Sequence, residues 1–140
     1  MKSYIIDASV VTKCFIIEDY SDKAMEVTDE HVRGRLLLSA SSLIVYELGN
    51  VFWRHPQITS EKTYAFIERF FDLQIGLVDI WSDAKLLKNT CVTSKTRNVT
   101  FYDASYLSLA ERNGTRLVTA DENLWNKAPN LVVLLKEFKI

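Results

Sequence analysis

Short apolar runs alternate with longer stretches of helical periodicity along the whole chain. Tyr4-Ile5-Ile6, closed by Asp7, reads as a buried strand. Val10 to Ile17 predicts an apolar helix. Ser21 to Val32 is more polar, with Ser21 placed as its cap and Gly34 as its stop. Leu36-Leu37-Leu38 predicts a second strand. Ser41 or Ser42 caps a helix to about Arg54, halted by Pro56. Thr59, Glu61 and Lys62 open another helix, to about Leu73. Gly76 leads into a strand from Leu77 to Ile80, and Ser82 starts a helix to about Ser94. A helix over Phe101 to Asn113 ends at Gly114. Arg116 to Thr119 is a strand, Asp121 to Lys127 a short helix, and Leu131 to Leu134 the last strand. Strands alternating with helices imply βαβ units and a parallel sheet. The expected fold is one α/β domain, a three-layer α/β/α sandwich with a central, mostly parallel sheet. No repeat or linker divides it.

In such sheets ligands bind outside the carboxyl ends of the strands. Asp7 directly follows the first strand, and Asp121 follows the strand that ends at Thr119. Two further acids sit on helices. Glu47 shares a face with Leu43, Ile44, Val51 and Arg54, and Asp103 with Tyr106, Leu107 and Ala110. A carboxylate on an apolar stripe is partly buried and needs a partner or a metal. Each acid also has a plain alternative. Asp7 and Asp121 are candidate helix caps, Thr100 and Asp103 match a capping box, and Glu47 has Arg54 as a candidate partner. Convergence of all four on one sheet edge favours a cation between them. Hard oxygen ligands suit Mg²⁺ or Mn²⁺. His31 and His55 have no partners at ligand spacing and are expected at the surface.

Composition adds limits. Hydrophobic residues make up 48% of the 140, enough for a core without disulfides. Cys14 and Cys91 form no ligand pattern and are expected as free thiols of a cytoplasmic protein. No run approaches a signal peptide or a membrane span. The net charge of −1 gives no general electrostatic grip on nucleic acid. Lys13, Lys95 and Arg97 are the candidate phosphate contacts. Trp53 with Phe66, Ile67, Phe70 and Phe71 makes an apolar stripe wider than one helix face needs, open to a core or an interface role.

The segments Ile-Ile-Asp7-Ala-Ser9, Tyr-Glu47-Leu-Gly-Asn50, Phe-Tyr-Asp103-Ala-Ser-Tyr-Leu-Ser-Leu-Ala and Leu-Val-Thr119-Ala-Asp121 resemble the PIN domain. More closely, the chain resembles the toxin nucleases of VapBC toxin–antitoxin systems, from about Lys2 to Val133. The resemblance implies a Mg²⁺- or Mn²⁺-dependent endoribonuclease that cuts single-stranded or structured RNA. It implies a cognate VapB-type antitoxin and a homodimer. Asp7, Glu47, Asp103 and Asp121 match the family's acidic quartet, which holds the metal. Thr119, Ser9 and Asn50 match polar residues that support it. A housekeeping RNA-processing nuclease and a non-catalytic scaffold on the same fold remain alternatives. A receiver-like or haloacid-type phosphotransfer domain fits less well, because Ser9 stands where a second Asp would be needed.

Overall fold

A computed structural model describes residues 1–140. Five strands form one sheet: β1 (Ser3–Ile6), β2 (Leu37–Ser41), β3 (Gly76–Val78), β4 (Leu117–Thr119) and β5 (Val132–Leu134), in the order β3-β2-β1-β4-β5. Every pairing is parallel. The apolar runs therefore lie between two helical layers, as fully buried parallel strands require. Ile5, Ile6, Leu38, Ala40, Leu117 and Val118 are all buried. The chain steps outward from β1 through β2 and β3, then returns to the other side of β1 for β4 and β5. This reversal places a switch point between β1 and β4, where parallel sheets open a crevice at their carboxyl ends.

The helices are α1 (Ala8–Val11), α2 (Ser21–Val32), α3 (Ile44–Arg54), α4 (Ser60–Asp72), α5 (Ala84–Thr96), α6 (Phe101–Arg112) and α7 (Glu122–Lys127). Helix α6 lies across β1, β2 and β4 beneath α5. Its residues Ala104 to Ala110 are all buried. Small residues on both of its sides (Ala104, Ser105, Ser108, Ala110) allow that close approach. Ser108 and Thr93 face each other across the α5–α6 contact at 3.5 Å.

Several boundaries depart from the sequence pattern. The helix expected over Val10–Ile17 stops at Val11 and tightens into a 3₁₀ turn at Thr12–Cys14. An apolar run without a polar face carries no information on helix length. The run Val10, Val11 and Thr12 is also β-branched and holds a helix weakly. Strand β2 runs on to Ser41, past the apolar triplet, while β3 ends at Val78 and is followed by a 3₁₀ turn at Ile80–Ser82. Asp83, not Ser82, caps α5, accepting from the Lys85 amide at 2.9 Å. Ser21 braces the turn before α2 instead of capping it, accepting from the Glu18 amide and donating to the Ile16 carbonyl.

His31 is built into the sheet edge and is not a free surface group. Its Nδ1 accepts from the Leu38 amide at 3.0 Å, and its Nε2 meets the Gln74 carbonyl at 3.2 Å. A neutral ring with its proton on Nε2 satisfies both, supplying a rung where β3 has not yet begun. His55 is half-buried, with Nδ1 unpartnered. Cys14 is half-buried and Cys91 exposed, both free thiols. The wide stripe divides: Phe70 is buried and Phe66 joins Phe15 and Phe52 in an aromatic cluster, while Trp53 and Phe71 are exposed.

Candidate active site

The crevice at the switch point is a hollow of about 590 Å³. Asp7, Glu47, Asp103 and Asp121 all line it, with Ser9, Asn50, Arg54, Thr100, Tyr46 and Tyr102 among the rest. Each acid arrives by a different piece of local structure.

Asp7 ends β1 and caps α1, accepting from the Ser9 amide on Oδ1 at 3.1 Å. Ser9 Oγ donates to the same oxygen at 2.6 Å, and Thr119 Oγ1 donates to Oδ2 at 2.5 Å. Each hydroxyl has one proton, and Asp7 takes both. The hydroxyl oxygens then accept from the backbone of the β4–α7 turn: Ala120 N to Ser9 at 2.9 Å, Asp121 N to Thr119 at 3.2 Å. Ser9 and Thr119 thus clamp one carboxylate and tie β1 to the turn that carries Asp121. Burial nevertheless dominates. It raises the Asp7 carboxyl to about 6, the hydroxyl bonds pulling down and the Asp103 charge adding to the rise.

Glu47 does not pair with Arg54. The Tyr106 hydroxyl, on the fully buried face of α6, donates to its Oε1 at 2.5 Å. Burial lifts Glu47 to about 7, against the Tyr106 bond and with help from the Asp7 and Asp103 charges. Burial and the facing carboxylates also push the Tyr106 phenol well above its usual range, so it stays a donor.

Asp103 stands in the first turn of α6, where Thr100 caps the helix by accepting from the Asp103 amide at 3.1 Å. Burial raises this carboxyl and the Asp121 charge raises it further, while Thr100 and Lys127 partly offset them. Asp121 caps α7, accepting on Oδ1 from the Asn123 and Leu124 amides at 2.9 and 3.3 Å. The cap and site alternatives therefore coincide. Helix N-termini converge on the carboxyl edge, so an acid there serves its helix and faces the crevice together.

The basic candidates fare differently. Lys13 borders an adjoining hollow that shares Ser9, Glu47 and Asp121, yet its ammonium is held by Glu18 at 3.2 Å and the Asp19 carbonyl at 2.8 Å. Lys95 and Arg97 do not line the site, and Arg97 instead donates to the Lys127 carbonyl at 3.1 Å. The sequence pattern did not single out Tyr106, Lys127 or a site role for Arg54. Tyr106 lies one turn after Asp103, and that spacing was the available signal.

No three acidic, cysteine or histidine side chains stand at the spacing of a ready-made metal cage. The donor set still fits a hard divalent cation. Carboxylates of one sign are drawn into one hollow, their charge is opposed by burial and by each other, and no cation side chain pairs with them. Mg²⁺ retains several waters, so such acids need not all touch it.

Comparison with known proteins agrees with this architecture. The chain is 28% identical to ribonuclease VapC3 of Pyrobaculum aerophilum, over 91% of this chain and 96% of that protein. It is 28% identical to exonuclease VapC9 of the same organism, over 92% of this chain and 88% of that protein. It also superposes, with TM-score 0.69 and 14% identity, on a chain in the crystal structure of VapBC2 from Rickettsia felis bound to a promoter DNA fragment, covering 94% of this chain and 98% of that one. The model of the PIN domain matches residues 4–130, so the chain belongs to the PIN domain family.

Proposed function

We propose that the protein is a Mg²⁺- or Mn²⁺-dependent endoribonuclease and the toxin of a toxin–antitoxin pair. The observation that carries this is the convergence of Asp7, Glu47, Asp103 and Asp121 on one hollow, where burial raises the carboxyls of the first three. Asp7, Asp103 and Asp121 are the residues that would hold the metal, with Glu47 holding it or orienting the attacking water. A bound divalent ion supplies a nucleophilic water at neutral pH and Lewis-acid stabilisation of phosphate charge. Ser9 and Thr119 fix both oxygens of Asp7, and Tyr106 fixes Glu47. Such support preserves ligand geometry. Asn50 lines the same hollow one turn beyond Glu47.

An internal cut is favoured by the shape of the site. The hollow around the acids and its neighbour beside Lys13 share Ala8, Ser9, Glu47, Val51 and Asp121. The acids therefore have open space on two sides, room that the middle of a strand would need. The toxin role is supported by the VapC names of the relatives and by the VapBC2 complex. A VapB-type antitoxin and a second copy of the chain are the partners this reading assigns.

Circular single-stranded RNA is the decisive substrate, because it has no ends. Cleavage with Mg²⁺ or Mn²⁺, its loss with a chelator, and its loss in Asp103→Asn are expected. Cleavage of linear RNA alone would replace the internal cut with an exonuclease, and full activity of Asp103→Asn would remove the assignment of the site.

A further inference from the structure

The four carboxylates leave part of the hollow unexplained. Tyr46 and Arg54 on α3, and Tyr102 in the first turn of α6, line it beside them. Tyr46 is 68% and Tyr102 44% exposed. Half of the chain's other rings meet one another: Phe15, Phe52 and Phe66 form one cluster, Tyr4 meets Phe138 edge-on, and Phe70 meets Phe71. Neither Tyr46 nor Tyr102 belongs to such a pair. Arg54 is likewise outside the ion pairs, which engage Lys13, Arg35, Arg112 and Lys136. Tyr46, Asn50 and Arg54 follow one another at four-residue spacing, so they form one row along α3.

We infer that Tyr46 and Tyr102 are stacking platforms for the bases flanking the scissile phosphate, and that Arg54 holds a neighbouring phosphate. This rests on the nuclease reading and names the side chains that would make the site select RNA whose flanking bases are unpaired. The charge pattern requires a grip of this kind. The net charge is −1 and the site itself is acidic, so beyond the single contact from Arg54 phosphate attraction adds little to the hold on a polyanion there. The face of a base is uncharged, stacks on any aromatic ring, and is available only where the strand is not already stacked in a duplex.

Binding of a short fluorescein-labelled RNA to Asp103→Asn protein in Mg²⁺, where the probe is not cut, tests this by anisotropy. Tyr46→Ala and Tyr102→Ala should each weaken binding roughly tenfold. The Phe variants should bind within about twofold of the parent, since they keep the ring. Leu variants should lose as much as Ala, and the probe annealed to its complement should bind at least roughly tenfold more weakly. Arg54→Ala should reduce the salt slope by about one, while the tyrosine variants leave it unchanged. In active protein the Ala variants should raise KM more than they lower kcat. Both rings are solvent-exposed, and an unchanged thermal midpoint establishes that each variant folds. Unchanged binding in the Ala variants, equal losses in Phe and Ala, or equal affinity for duplex would each overturn the inference alone. A parent chain that neither binds nor cuts RNA would overturn the nuclease reading with it.

Discussion

Strand β1 runs between two hollows of nearly equal size, about 590 Å³ at its carboxyl end and about 610 Å³ at its amino end. Their chemistry is opposite. The amino-end hollow has Lys2, Arg116 and Lys139 beside Glu137, all exposed and mixed in sign. Helices α2 and α6 end on that side of the sheet, and cations suit helix C-termini. The carboxyl-end hollow gathers four acids, Asp7 buried, Glu47 and Asp103 half-buried and Asp121 exposed, beside the N-termini of α1, α6 and α7. Volume therefore does not distinguish a site from a dimple in this fold. Unmatched charge withdrawn from water does.

The largest break in that contrast comes from removing one of the acids. Asp103→Asn should cost at least roughly a hundredfold in RNA cleavage, given how much a metal site contributes to the reaction. Without metal the same change should raise stability, because it removes a like charge that the hollow opposes. An increase of a few degrees in thermal midpoint at pH 8 is the expected size for a relief of about 1 kcal/mol. Calorimetry of the two proteins in chelator checks this, and a fall in the midpoint would mean that Asp103 is held by partners other than its fellow acids.

The same repulsion sets a pH dependence. Asp7 lies at about 6 in the folded chain against an ordinary 3.8, and Glu47 at about 7 against 4.5. Folding favours the protonated form of both groups. Their contribution to stability is therefore fully present below about pH 4 and is lost as pH rises through about 7. For Asp7, the rise from 3.8 to about 6 corresponds to roughly 3 kcal/mol at most. Glu47 contributes less, because it is only part-buried. Metal-free protein should accordingly lose thermal stability between about pH 4 and pH 7, over and above any background trend. Mn²⁺ should restore it increasingly as pH rises, since the cation binds the ionised forms. A Mn²⁺ stabilisation that is flat with pH would separate the ion from these carboxyls.

Tyr106→Phe is a smaller and sharper probe. It deletes one hydroxyl from a fully buried side chain and leaves Glu47 without its donor. That bond holds the Glu47 carboxyl down, so its loss should move the acidic limb of the pH–rate profile upward. Activity at pH 7 should fall roughly tenfold as Glu47 loses its orientation. Stability should change by about 1 kcal/mol. A profile shifted downward would show that Tyr106 does not act through Glu47.

How much of this was legible in the sequence depends on distance along the chain. Asp7 and Asp121 could be placed because each closely follows an apolar strand, and strand ends define the edge. Glu47 and Asp103 could be placed because they interrupt apolar helix faces. Local pattern reaches only half of the clamp on Asp7: Ser9 is two residues away, but Thr119 is separated from Asp7 by 112 positions and was named only through the resemblance. The Tyr106–Glu47 bond spans 59 positions, and no local pattern tells a buried tyrosine that donates from one that only packs. The cations were the least legible. Whether Lys13 reaches the acidic hollow depends on the turn after α1, where Glu18 and Asp19 capture it. That turn exists because the apolar run around it does not continue as a helix.

The smallest effects should come from the other end of β1. Arg116 and Lys139 border the amino-end hollow, and neither is engaged in an ion pair. Exposed charges of this kind are worth little, so Arg116→Ala or Lys139→Ala should change stability by no more than about 0.5 kcal/mol. RNA cleavage should be unchanged within about twofold, because screening removes most of the field across the length of a strand. The value of this measurement is its asymmetry with the carboxyl end. A hollow of nearly equal size, with three cations against one acid, is the obvious docking surface for a polyanion if gross charge decides binding. Unaltered RNA affinity and KM in both variants would show that recognition belongs to the acidic hollow and its rings. A loss of affinity comparable to that of Tyr46→Ala would instead make the amino end part of the RNA path, and the two ends of the strand would have to be treated as one surface.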